Sequence, residues 1–89
     1  MPTFHLVIKG KVQGVFYRAT ARETAVKTGI TGWVKNTGEG DVEAIVSGTV
    51  EQLNEFISWC KKGPSGAKVT DVIVTEQKET KFDDFLVKR

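Results

Sequence analysis

Apolar and polar residues alternate from Phe4 to Val12, with Phe4, Leu6 and Ile8 on one side of an extended chain and His5, Val7 and Lys9 on the other. This period of two predicts a first strand, interrupted at Gly14. The spacing then becomes helical. Ala21, Ala25 and Val26 form the apolar stripe of a helix from about Tyr17 to Thr28, and Gly29 is placed to cap its C-terminal end. A second strand, Thr31 to Asn36, carries Trp33. Thr37-Gly38-Glu39-Gly40 reads as a hairpin loop and Asp41 to Ser47 as the third strand. Thr49 with Gln52 three residues on is a capping box, after which Val50, Leu53, Phe56, Ile57 and Cys60 fall on one helical face. Gly63-Pro64-Ser65-Gly66 ends that helix. A valine- and isoleucine-rich strand covers about Lys68 to Glu76, and Phe82 to Val87 forms a short fifth strand whose place in the sheet the pattern does not give.

The order is β-α-β-β-α-β with a small addition, the ferredoxin-like arrangement of the α+β class. It implies an antiparallel sheet with both helices on one face. One consequence bears on function. If the first strand runs up, the first helix returns down and the second strand runs up again, so both strands end at the same edge of the sheet. The loop Val12 to Arg18 and the corner Asn36 to Gly40, distant in sequence, are therefore expected to be neighbours.

Composition narrows the function classes. The 89 residues suit one domain spanning 1–89, 39% hydrophobic and 27% charged, as in an ordinary globular protein. A chain of this size buries only about 60% of its unfolded surface, so the core is thin. No apolar run approaches the roughly 18 residues of a membrane span, and the N-terminus shows no signal-peptide pattern. A cytoplasmic location without membrane association is the default expectation. The net charge of +2 is no basic stripe, and nucleic acid is not an expected partner. With one Cys and one His there is no internal disulfide and no usual zinc site. Cys60 reads as a small buried hydrophobe and His5 as an ordinary strand residue.

The candidate chemistry lies in the two segments that topology brings together. In Gln13-Gly14-Val15-Phe16-Tyr17-Arg18 a strand passes into a helix, and successive N–H groups in such a loop can converge on an anion, aided by the helix dipole. Gly14 suits positive φ or the close approach of a ligand. Arg18 in the first turn opposes the dipole, a placement easier to understand if an anion sits between it and the loop amides. Asn36 carries donor and acceptor on one amide and can hold a water without transferring a proton. On local chemistry alone the plainer readings stand beside these: glycine loops are often only turns, and Asn before Thr-Gly is good turn chemistry.

Taken together, Gly10-Lys11-Val12-Gln13-Gly14-Val15-Phe16-Tyr17-Arg18 and Gly32-Trp33-Val34-Lys35-Asn36, followed by Gly40-Asp41-Val42 and Gly48, resemble the two signatures of the acylphosphatase family. The likeness spans essentially the whole chain. It implies hydrolysis of the carboxyl-phosphate bond of small acyl phosphates, with no cofactor, no metal and no covalent phosphoenzyme. Arg18 and the backbone amides of Gln13, Gly14, Val15, Phe16, Tyr17 and Arg18 would bind the phosphoryl group, or a phosphate or sulfate anion. Asn36 would position the attacking water, with Thr37 bracing the corner. A monomer is expected.

Other functions are served by the same fold. An RNA-recognition module needs exposed aromatic and basic residues on its central strands, and Phe4-His5-Leu6-Val7-Ile8 with Val42-Glu43-Ala44-Ile45-Val46 offer no such platform. A metal chaperone would carry Cys-x-x-Cys in the first loop. The alternative that remains is a non-catalytic domain binding phosphate or carbamoyl phosphate, which turnover distinguishes.

Overall fold

The computed structural model describes residues 1–89. Strand β1 (Thr3–Lys11) buries Leu6 and Ile8 against two helices, as its alternation requires. Helix α1 (Tyr17–Thr28) ends at Gly29, whose φ of 87° lets its N–H reach back to the carbonyls of Ala25 and Val26. Strands β2 (Thr31–Asn36) and β3 (Val42–Ser47) form the hairpin. Helix α2 (Val50–Lys62) starts with the capping box: Gln52 N–H donates to Thr49 Oγ1 at 3.1 Å, and Thr49 N–H to Gln52 Oε1 at 2.8 Å. Strand β4 (Lys68–Gln77) and a three-residue β5 (Phe85–Val87) complete the chain. No helix is long and apolar enough to cross a membrane.

The sheet order is β4-β1-β3-β2-β5. The four longer strands pair antiparallel, but β5 pairs parallel with β2, so the expected antiparallel sheet is in fact mixed. The reason is the route of the chain. Strand β4 finishes at one edge, with Gln77 opposite Thr3. Residues 78–84 then cross beneath the sheet and can join the free edge of β2 only from below. The crossing is held by a buried polar cluster. The Thr3 and Ser47 hydroxyls lie 2.7 Å apart, Thr80 N–H donates to Thr3 Oγ1 at 2.8 Å, and Ser47 Oγ donates to Thr80 O at 2.9 Å. Gly32 N–H then takes Asp84 O at 2.9 Å. Gly32, with φ of 136°, lies so close to Ile45 that a Cβ would strike the Ile45 carbonyl.

One continuous core joins Leu6, Ile8, Val34, Val42, Ala44 and Val46 of the sheet to Tyr17, Ala21 and Ala25 of α1, to Leu53, Phe56 and Cys60 of α2, and to Phe85. Two residues assigned to helix stripes lie outside it, Val26 and Val50, each 58% exposed. The α1 stripe centres on Ala21, leaving Val26 roughly 140° away around the helix, and Val50 is about 90° from the centre of the α2 stripe. The inward aromatic of α1 is Tyr17. Cys60 is buried as expected.

Candidate active site

The C-terminal ends of β1, β2 and β5 reach one edge of the sheet, where α1 begins. Ile8 and Asn36 flank Val42 from opposite sides, so the loop after β1 and the corner after β2 are neighbours, as the topology implied. Between them lies a cleft of about 370 Å³ lined by Val12, Gly14, Phe16, Tyr17, Arg18, Ala19, Asn36, Val87 and Arg89. No Asp, Glu or His side chain lines it.

The loop's shape comes from two left-handed residues. Gly14 has φ of 74° and Phe16 has φ 62°, ψ 25°, the sole non-glycine with positive φ. A bulky residue there is strained, and such strain persists only where the surroundings over-determine it. Tyr17 does much of that determining. Its ring is 2% exposed and packs on Trp59 at 5.1 Å between centroids, while its hydroxyl donates to Cys60 O at 2.7 Å. Pinning Tyr17 inward turns Phe16 outward, where its side chain is 83% exposed. The N–H groups of residues 13 to 18 find no acceptor within the chain. The first turn of α1 has no acidic residue and no side-chain cap. The unpartnered amides of the lining residues Gly14, Phe16, Tyr17 and Arg18, the helix dipole and the guanidinium therefore all add positive potential at this end of α1.

Arg18 is half-buried and its Nη1 donates to Lys88 O at 2.9 Å, which holds one arm of the fork against the chain after β5. Asn36 shares the pleat face of Val34, so its carboxamide points toward the helix side of the sheet and lines the cleft; it makes no hydrogen bond within the chain. Thr37 braces the corner. Its Oγ1 accepts from the N–H groups of Glu39 at 3.2 Å and Asp41 at 3.1 Å, while its own N–H donates to Asp41 O at 2.9 Å. Of the other loop residues, Val15 packs against the core and Gln13 reaches the β2–β3 corner, so neither side chain lines the cleft.

Burial pushes the Tyr17 phenol well above its ordinary value of 10.0 and the Cys60 thiol up to about 12. Cys60 therefore supplies no thiolate near neutral pH. On the opposite face of the sheet, His5 Nε2 meets Glu43 Oε2 at 2.7 Å, away from the cleft. Val87, Arg89 and the Lys88 carbonyl were not legible as site components, because they reach the cleft only through the parallel pairing of β5. Tyr17 did leave a signal: it precedes Ala21 and Ala25 by one and two steps of four.

The family model described as Acylphosphatase matches residues 4–87. The chain is 44% identical over 88 residues to an acylphosphatase of Syntrophus aciditrophicus, covering 98% of this chain and 92% of that protein. It is 41% identical over 90 residues to one of Methylococcus capsulatus, covering 100% and 98%. Its fold is similar to the crystal structure of acylphosphatase from Bacillus subtilis, with a TM-score of 0.96 at 33% identity across the whole of both chains.

Proposed function

The chain belongs to the acylphosphatase family and is a hydrolase of acyl phosphates, and on that premise we propose that Arg18, the amides of residues 13 to 18 and Asn36 carry the reaction. The phosphoryl group rests in the loop, its oxygens taking the N–H groups and the free arm of the Arg18 guanidinium. Asn36 holds a water by its amide. The water oxygen attacks phosphorus in line as the bond to the acyl oxygen breaks. A carboxylate departs and the water's proton passes to a phosphate oxygen, giving dihydrogen phosphate.

The observation that carries this reading is the meeting in one cleft of an unpartnered amide, a guanidinium and a run of unpartnered N–H groups. A phosphoryl transition state spreads negative charge over its equatorial oxygens, so its catalysis is chiefly positioning and electrostatics. A carboxylate leaves readily without a strong acid. With no Asp, Glu or His lining the cleft, the substrate's own phosphate is the base. A metal-independent monomer that also binds inorganic phosphate or sulfate belongs to the same proposal.

Hydrolysis of benzoyl phosphate, followed by ultraviolet absorbance with chelator present, tests it. Asn36→Ala should lower kcat by about 10²–10³-fold, the usual loss for one positioning or oxyanion contact, while inorganic phosphate still inhibits competitively. Weakened phosphate inhibition with kcat spared would show that Asn36 binds the anion rather than the water.

A further inference from the structure

Gln13 opens the loop, yet its carboxamide turns away from the cleft. Its Nε2 donates to Thr37 O at 2.9 Å and to Asp41 O at 2.8 Å. Two carbonyl acceptors identify the nitrogen end of the amide, since only the NH₂ has two protons to give. The acceptors are the two ends of the β2–β3 hairpin loop: Thr37 directly follows Asn36, and Asp41 directly precedes β3. These are also the only hydrogen bonds between residues 13–18 and residues 36–41. The remaining links between the two segments are indirect: the sheet, where β3 separates β1 from β2, the Lys9–Asp41 pair, and Lys88, whose carbonyl takes Arg18 and whose N–H donates to Val34 O.

We infer that Gln13 is a positioning residue for hydrolysis, a clamp that fixes the phosphoryl-binding loop at the right distance from Asn36. The inference rests on the roles proposed above for Arg18, the loop amides and Asn36. Each half of the site keeps its own shape without the clamp. The loop is set by Gly14, Phe16 and the buried Tyr17, and the hairpin by the bonds around Thr37. What the Gln13 amide adds is the relation between them. In-line attack needs water and phosphorus about 3–3.5 Å apart, and a misplacement of about 1 Å costs on the order of 10²-fold.

The test uses Gln13→Leu, which removes the donor, and Gln13→Glu, which keeps the shape but turns acceptors toward the two carbonyls. Both are followed for kcat and KM on benzoyl phosphate, for inhibition by inorganic phosphate, and for the urea midpoint. Both should lower kcat by about 10- to 100-fold and leave phosphate inhibition within about threefold, the split expected when an interaction matters only in the transition state. In an Asn36→Ala background Gln13→Leu should cost little further, because the clamp acts through Asn36. An undiminished kcat in folded Gln13→Leu overturns the inference. So does a parallel loss of kcat and phosphate binding in both variants, which would mark general damage to the fold. A full additive loss on top of Asn36→Ala would also overturn it, by showing that Gln13 acts elsewhere. An Asn36→Ala enzyme with normal kcat would instead refute the water-positioning role itself, whatever Gln13 does.

Discussion

Replacing Tyr17 by Phe removes one oxygen from the interior, and the structure indicates what that should cost. The α2 helix ends at Lys62, so its last four carbonyls have no partner in the helix. Gly63 N–H takes Trp59 O, and the Tyr17 hydroxyl takes Cys60 O at 2.7 Å. In Tyr17→Phe the ring keeps its packing on Trp59, but the buried Cys60 carbonyl loses its donor. Leaving a buried acceptor unsatisfied costs about 1–3 kcal/mol. For a chain of this length the unfolding entropy is roughly 0.19 kcal/mol/K, so 2 kcal/mol corresponds to about 11 °C in Tm. The urea midpoint should fall by about 1–2 M with m unchanged, measured without phosphate because a bound anion adds its own stability. A second readout follows from Tyr17 being the only tyrosine. Its folded-state pKa lies above the ordinary 10.0, so the stability it contributes is complete below that value and is lost as pH rises beyond it. Phenolate absorbance should therefore appear together with alkaline unfolding and not as a separate titration of the native protein. An unchanged urea midpoint in Tyr17→Phe, or a native phenolate signal near pH 10.0, would refute this account of how the loop is anchored.

The remaining predictions concern the loop, its cation and the opposite face of the sheet. Gly14→Ala meets nothing within 4 Å of the added Cβ, so its cost is purely conformational. At φ 74° that cost is about 1–2 kcal/mol, visible as a lower urea midpoint together with weaker phosphate inhibition. Arg18→Ala should raise KM and lower kcat together. Two charge-assisted bonds at about 1.5–3 kcal/mol each correspond to roughly 10²- to 10⁴-fold in kcat/KM on benzoyl phosphate. The Glu43 carboxyl is held below its ordinary 4.5 by the hydrogen bond from His5, against a smaller opposing effect of burial and with help from Lys35. A depressed folded-state value means the stabilisation is complete above 4.5 and is lost as pH falls through the folded value. The urea midpoint should decline below that pH, and Glu43→Gln should flatten the decline.

What could be read from the sequence depended on how locally each feature is determined. The capping box at Thr49 and Gln52, the Gly29 cap and the alternation around Leu6 and Ile8 are written within a few residues, and each was legible. The meeting of residues 12–18 with Asn36 is non-local, yet it was also legible, because the right-handed β-α-β crossover leaves one arrangement of strand ends. The parallel pairing of β5 escaped because it depends on where residues 78–84 cross the sheet. That crossing is fixed by the Thr3 and Ser47 hydroxyls on the Thr80 backbone, and nothing in the sequence sets those two hydroxyls apart from solvated ones. Arg89 and the Lys88 carbonyl were lost with it. The direction of individual side chains was the other gap. Phe16 and Tyr17 are adjacent aromatics, and nothing in their pairing says which enters the core. The helical register decides: Tyr17 sits four residues before Ala21 and eight before Ala25, and so on the buried stripe. Phe16 then has to absorb the left-handed turn at the end of the loop. The strain at Phe16 and the burial of Tyr17 are thus one event, in which packing energy from the core sets the conformation of the loop to which anion binding is assigned above.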